Sequence, residues 1–112
     1  MQIPDGRCYL CEILGDYSEK VTEEHHCIFG VANRKRSERT GLKVYLCPEH
    51  HRTGKTAVHN NHVVAAYLQD RAQVCYEDYY KANDFVLKFG RNYKLTEEER
   101  LHAIRVIRGI EL

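Results

Sequence analysis

This sequence is rich in metal-binding side chains, with five cysteines and seven histidines in 112 residues. Cys8 and Cys11 form a C-x-x-C pair, and Cys47 and His50 form a C-x-x-H pair. Two residues between ligands let both side chains converge on one ion from a tight turn. Three thiolates and one imidazole are soft donors suited to tetrahedral Zn2+, so these four residues read as a structural zinc site. The alternatives are that the cysteines are ordinary core thiols, or that Cys27 replaces His50 as fourth ligand. Cys27 and Cys75 lack paired neighbours and read as small buried apolar residues. An odd cysteine count argues against a complete disulfide framework and for a reducing compartment.

A second group is made of histidines. His25 and His26 are adjacent in the segment KVTEEHHCIF, and adjacent strand residues point to opposite faces. One imidazole can ligate an ion while the other acts as a general base near neutral pH. His51 follows His50 directly, His59 comes eight residues later and His62 three after that. A fold-back around Gly54 lets His51 and His59 converge with His25. Scattered histidines are usually satisfied polar residues. Here six of the seven fall in the first 62 residues, beside a zinc motif, which favours a metal-centred site.

These side chains need elements to position them. Residues 9–14 read as a knuckle, followed by a turn at Gly15-Asp16. Residues 20–29 and 42–47 (LKVYLC) read as two strands. Residues 31–41 are polar and basic and read as a loop or frayed helical turn. Pro48 suits the start of a helix that Gly54 interrupts. A long helix is expected from about Asn61, with Val64, Leu68, Ala72, Cys75 and Tyr79 on one apolar face. Tyr67, Tyr76, Tyr79 and Tyr80 on that helix suit either the core or a dimer surface. Residues 84–89 suggest a short helix stopped by Gly90. A final helix is expected from Thr96, with Glu99 completing a capping box and Leu101, Ile104 and Ile107 facing inward. The fold class is therefore α+β, with chemistry in the first half and helical support in the second.

Net charge is only +1, but residues 31–55 carry seven basic residues against two acidic ones. A locally basic surface suits a polyanionic partner, although scattered charge on a solvated loop is the simpler alternative. No apolar run approaches the roughly 18–20 residues of a membrane span. The first residues, MQIPDGRCYL, lack the pattern of a signal peptide, so a cytoplasmic location is expected.

The segments EEHHCIFG, LKVYLCPEHH and VHNN together resemble the ββα-metal core of HNH (His-Me finger) endonucleases, in particular small phage- and prophage-borne members. The resemblance covers residues 5–62, and DFVLKFGRNY is similar to the helical extension of those proteins. It implies one domain: a zinc-stapled ββα-metal finger in residues 1–62 and a helical C-terminal extension in residues 63–112. Position by position, it implies that His25, His51 and His59 hold a catalytic divalent ion, Mg2+ or Mn2+/Ni2+. His26 matches the general base, and Cys47-Pro48-Glu49-His50-His51 matches the family's CxxCH with His50 in place of the second cysteine. The family's central asparagine falls near Gly41 or Leu42, neither of which carries an amide; Asn33 or Asn60 is the substitute expected to orient His26.

The activity so implied is hydrolysis of phosphodiester bonds in DNA, expected to be double-stranded, leaving 5′-phosphate and 3′-hydroxyl ends. Arg34, Lys35, Arg36 and Arg52 are expected to contact backbone phosphates. The setting implied is a phage or prophage gene product in a bacterial host. The rival expectation is a catalytically weak or inactive zinc module that serves as a phage-encoded DNA- or protein-binding regulator. The C-terminal helices would then offer a surface for a protein partner or a homodimer.

Overall fold

A computed structural model describes residues 1–29, 31–81 and 83–110, apart from the side chains of Val31, Ala32 and Arg34. It is a mixed fold of helices and one two-stranded sheet. Strand β1 (Glu23–His26) pairs antiparallel with β2 (Lys43–Leu46), with Glu23 opposite Leu46 and His26 opposite Lys43. Both strands are shorter than the sequence segments suggested. Alternation along β2 buries Val44 and Leu46 and leaves Lys43 and Tyr45 half-buried on the other face. The same alternation puts Glu23 and His25 on one face of β1, and Glu24 and His26 on the other.

Before the sheet comes α1 (Tyr9–Ile13), a single knuckle-like turn whose start is capped by Cys8: its Sγ accepts from the Cys11 amide. Between the strands lies α2 (Val31–Thr40), a full ten-residue helix where the sequence suggested a loop or frayed turn. No apolar periodicity announces it, because Ser37 is its one fully buried side chain among the described residues. Good helix formers and side-chain tethers hold it instead. Asn33 donates to the Phe29 carbonyl, Arg36 donates to Asn33, and Thr40 donates to the Arg36 carbonyl. Gly41, with a φ of 72°, ends the helix in the left-handed region.

After β2, one wide helical turn of π type covers Glu49–Thr53. Pro48 opens it and Gly54 closes it, the Gly54 amide donating to the Glu49 carbonyl at 2.8 Å. A Cβ on residue 54 would lie 2.7 Å from that same oxygen, so the close approach requires glycine.

Helix α3 (His62–Tyr80) is capped by Asn61, whose Oδ1 accepts from the Val63 and Val64 amides. Its buried row is Val64, Leu68, Ala72 and Tyr76. Tyr79 was expected on that face but is 77% exposed, and Cys75 is only half-buried. A strict four-residue row puts Tyr76 inward and turns Tyr79 out. Tyr67 is also buried, whereas Tyr80 is exposed. Helix α4 (Phe85–Phe89) stops at Gly90, as expected. Helix α5 (Glu97–Ile107) starts with the expected capping box between Thr96 and Glu99. It turns Ala103, Val106 and Ile107 inward and leaves Leu101 half-exposed, a second departure from the expected face.

The reason for that rotation is Asp70, a fully buried carboxylate on α3. Arg100 of α5 donates to both of its oxygens at 3.1 Å, Arg71 lies 2.8 Å away, and the Leu95 amide donates at 2.7 Å. Bringing Arg100 to Asp70 fixes which face of α5 meets α3. Burial raises the Asp70 carboxyl, but the hydrogen bonds from Arg100, the Leu95 amide and Arg71 outweigh it and hold it below the usual range. Its contribution is therefore complete at neutral pH and fades only as pH falls through that depressed value. Asp70→Asn is expected to cost about 3 kcal/mol at pH 7, because it strips the partner from a half-buried guanidinium. Urea unfolding checks this, and a loss under about 1 kcal/mol would contradict it. Among the described residues no helix is long and apolar enough to cross a membrane.

Candidate metal centres

The knuckle, the end of β2 and the π turn meet at one point. Cys8 and Cys11 come from the knuckle, Cys47 follows β2, and His50 sits in the π turn. All four are buried, and their ligand atoms lie within 4.8 Å of one another. The individual edges are 3.5 Å from Cys8 Sγ to His50 Nδ1, 3.3 Å from Cys11 Sγ to His50 Nδ1 and 3.9 Å from Cys11 Sγ to Cys47 Sγ. A zinc tetrahedron with bonds of about 2.0–2.3 Å has edges of roughly 3.5–3.8 Å. The group therefore fits a four-coordinate ion such as zinc. Cys27 lies elsewhere, with its Sγ 3.8 Å from Met1 Sδ, so His50 is the fourth member.

Burial pushes the Cys8 and Cys11 thiols up; Cys8 and Cys47 add to the rise at Cys11, while at Cys8 hydrogen bonds from Cys47 and Cys11 work against it. Thiols packed this closely in a dry site ionise readily only around a cation, which couples metal binding to deprotonation. Burial, above all, pushes the Cys27 thiol up to about 12, as suits an inert core residue.

His51, the next residue on the π turn, belongs to a different cluster. His25 from β1, His51 and His59 offer ligand atoms within 4.8 Å of one another. Their ring centroids are 5.3 Å apart for His25–His51 and His25–His59, and 4.7 Å for His51–His59. The backbone holds them there: Val58 donates to the His50 carbonyl and His59 to the His51 carbonyl, which folds the 54–60 loop back onto the turn. Asn60 secures that loop by donating to the Arg52 and Gly54 carbonyls.

Tautomers follow from the partners. Glu23 accepts from His51 Nδ1 at 2.6 Å, so the proton sits on Nδ1 and the Nε2 lone pair faces the cluster. His59 Nε2 lies 3.1 Å from that atom. His25 Nε2 is buried and has no hydrogen-bond partner among the described residues. Burial, then the neighbouring His51 and His59, pull His25 down to about 3, which keeps its ring neutral and able to ligate. His25 and His51 are buried while His59 is exposed, so the cluster opens to solvent on one side. The Cys3His group is closed by comparison. That contrast separates a shape-giving site from one with room for an exchangeable ligand.

Glu23 was not singled out in the sequence, although strand alternation places it on the face of His25. A carboxylate on the far nitrogen of a ligating imidazole fixes its orientation and raises its basicity. Glu23→Gln is expected to weaken divalent-ion binding at the imidazole cluster about 10- to 100-fold while sparing the Cys3His group. Calorimetric titration reads this directly, and an unchanged affinity would reduce the contact to a surface pair.

His26 projects from the opposite face of β1. Its Nε2 faces Glu38 at 2.8 Å and Glu24 at 3.3 Å, and Lys43 donates to Glu38 at 2.8 Å. Lys43 and then His26 hold the Glu38 carboxyl down at about 2. Asn33 does not orient His26: it lies on α2 with its amide engaged by the Phe29 carbonyl and Arg36. Asn60 is likewise spent on the 52–54 backbone. Among the described residues the partners of His26 are carboxylates.

Of the basic residues, Arg52 pairs with Glu23 at 3.2 Å beside the imidazole cluster. Lys35 is exposed and Arg36 half-buried on α2, while the side chain of Arg34 lies outside the described residues. No protein-family model, no curated protein and no solved structure matches the chain.

Proposed function

We propose that this chain is a metal-dependent phosphodiester hydrolase of the HNH (His-Me finger) type, acting on DNA. The observation that carries the reading is the division of adjacent residues on one turn: His50 closes a Cys3His group, and His51 joins an open cluster of three imidazoles. A closed sulfur-rich site with a neighbouring open imidazole site is the arrangement expected of a ββα-metal finger.

His25, His51 and His59 would hold a divalent ion, Mg2+, Mn2+ or Ni2+, which would supply Lewis-acid chemistry for phosphodiester hydrolysis. The chain's own residues do the rest. His26 is the general base. Glu38 takes its Nε2 proton in a hydrogen bond, which leaves Nδ1 as the proton acceptor. In this reading Glu38 does the orienting work assigned to the missing asparagine. Substrate lies across the end of β1, where His25 and His26 flank it from opposite faces. Lys35, Arg36 and Arg52 meet phosphates along the strand.

The test is nicking of supercoiled plasmid over a panel of divalent ions. His26→Ala is expected to lower the rate about 10²- to 10⁴-fold with the fold intact by circular dichroism. Nicking at the parent rate would remove His26 as base. A parent protein that nicks nothing with any ion would leave the rival reading, a zinc-bearing regulator that binds DNA or protein.

A further inference from the structure

Two hollows adjoin each other on the side of α2 that faces the C-terminal helices. The smaller, about 210 Å³, is lined by Arg36, Arg39 and Thr40 of α2 and by Lys88 and Phe89 of α4. The larger, about 400 Å³, shares Arg39 and Thr40 and is walled by Tyr76, Tyr79 and Tyr80 of α3, with Glu38 at its edge. Three cations therefore converge on one hollow, and three tyrosines line the next. Arg39 is one of the seven basic residues of the 31–55 segment, whereas Lys88 was not singled out in the sequence; the fold brings them together from distant segments.

The electrostatics favour an anion. The Arg39 guanidinium has no ion pair or hydrogen bond among the described residues. Among the described residues Arg36 donates only to the neutral Asn33 amide. Lys88 has one carboxylate, Asp84, at 3.4 Å, and is itself half-exposed. Glu38 is the acidic group at the rim, and Lys43 and His26 already engage it. Tyr79 is 77% and Tyr80 43% exposed, with ring centroids 5.0 Å apart at 78°. Exposed aromatic rings beside a cluster of cations that outnumbers its carboxylates are the elements of a single-strand nucleic-acid platform, where phosphates meet cations and bases stack on rings. A volume of about 400 Å³ is also within the range of small-ligand pockets, roughly 300–1,000 Å³.

We infer that these adjoining hollows seat one unpaired nucleotide of a nucleic-acid strand, with its phosphate among Arg36, Arg39 and Lys88 and its base against Tyr79 and Tyr80. A duplex hides the faces of its bases, so the tyrosines select an unpaired one. Because Glu38 both edges the larger hollow and holds His26, the seat runs up to the general base proposed above. The inference rests on the nuclease reading for the kind of ligand, not for the existence of the site. It goes beyond that reading by making the substrate a junction, flap or gap with an unpaired base next to duplex.

The test uses the full chain carrying His59→Ala without added divalent ion, a form expected to keep the fold and to cut slowly enough for binding to be read. Fluorescence anisotropy follows a labelled single-stranded oligonucleotide and a duplex of the same sequence over a range of salt. Arg39→Ala with Lys88→Ala is expected to weaken single-strand binding tenfold or more and to lower the salt slope by up to about 0.7, the share of one phosphate. Tyr79→Ala with Tyr80→Ala is expected to weaken single-strand binding roughly 5- to 100-fold and to leave the duplex unaffected. Arg39→Glu, a single exchange at an exposed position, guards against misfolding of the double variants and is expected to act in the same direction. Single-strand binding unchanged by these exchanges would overturn the inference. So would a polyglutamate peptide that competes as well as the oligonucleotide, because the hollow would then take acidic protein. Failure of the nuclease reading is distinct: the parent protein would cut nothing while the binding pattern stood.

Discussion

Replacing Cys47 by serine, or stripping metal with a strong chelator, is expected to unfold the protein. The Cys3His group joins the knuckle at α1 to the end of β2 and to the π turn that follows. With it gone, nothing covalent or coordinate holds the N-terminal segment to the sheet, and the sheet has only two strands. A two-stranded sheet is marginal on its own. Structural zinc contributes apparent free energies of about 10–16 kcal/mol. Whole domains of this size are stable by only about 5–15 kcal/mol. Loss of the ion therefore exceeds what the remaining core can offset. Circular dichroism with elemental analysis reads the outcome: zinc lost and the thermal transition abolished or greatly broadened. Cys75→Ser, at a half-buried thiol outside the cluster, is the matched control and is expected to melt like the parent. A Cys47→Ser protein that melted cooperatively at the parent temperature without zinc would refute the structural role.

The second large effect concerns activity without stability. His59→Ala is expected to lower DNA cleavage by roughly 10²- to 10⁴-fold, equivalent to the several kcal/mol that a bound cation contributes to phosphate chemistry. His59 is the exposed member of the imidazole cluster, so its removal leaves no buried void. The melting temperature should stay near the parent value, and the Cys3His group should keep its ion. The loss should appear as weaker binding of the divalent ion, partly restored at high ion concentration, because His25 and His51 remain. Cleavage at the parent rate in His59→Ala would show that the three-imidazole cluster is not where the chemistry occurs.

The Cys3His group was legible in the sequence because its ligand spacing is a local property, whereas the imidazole cluster was read from the family resemblance and a fold-back around Gly54. C-x-x-C and C-x-x-H each impose a tight turn, and the π turn at Glu49–Thr53 splits His50 from His51 as neighbouring residues must be split. Helix ends were equally legible: Thr96 with Glu99 and Gly90 act as their chemistry suggests, and the long helix starts near Asn61, which caps it. Helix α2 was not, because it has no apolar face to produce a period. Its stability comes from polar tethers to neighbouring segments, which the pattern of one sequence does not reveal. The rotation of α5 was hidden for a related reason. Leu101 reads as a core residue until Asp70, thirty positions earlier, claims Arg100. Glu23 and Glu38 show the two sides of the same issue. Glu23 could have been found from strand alternation with His25. Glu38 became a partner of His26 only once α2 was a helix lying against β1.

The direct measurement for the central claim is a cobalt titration of metal-free protein under reducing conditions, in parent and His59→Ala forms. Two chemically different sites should fill in turn. The first equivalent is expected to bring sulfur-to-cobalt charge-transfer absorption together with folding. The second is expected to add ligand-field bands without a sulfur component, and to be lost in His59→Ala while the first remains. A titration that ends after one equivalent, or a second signal that His59→Ala leaves untouched, would contradict a catalytic ion held by His25, His51 and His59.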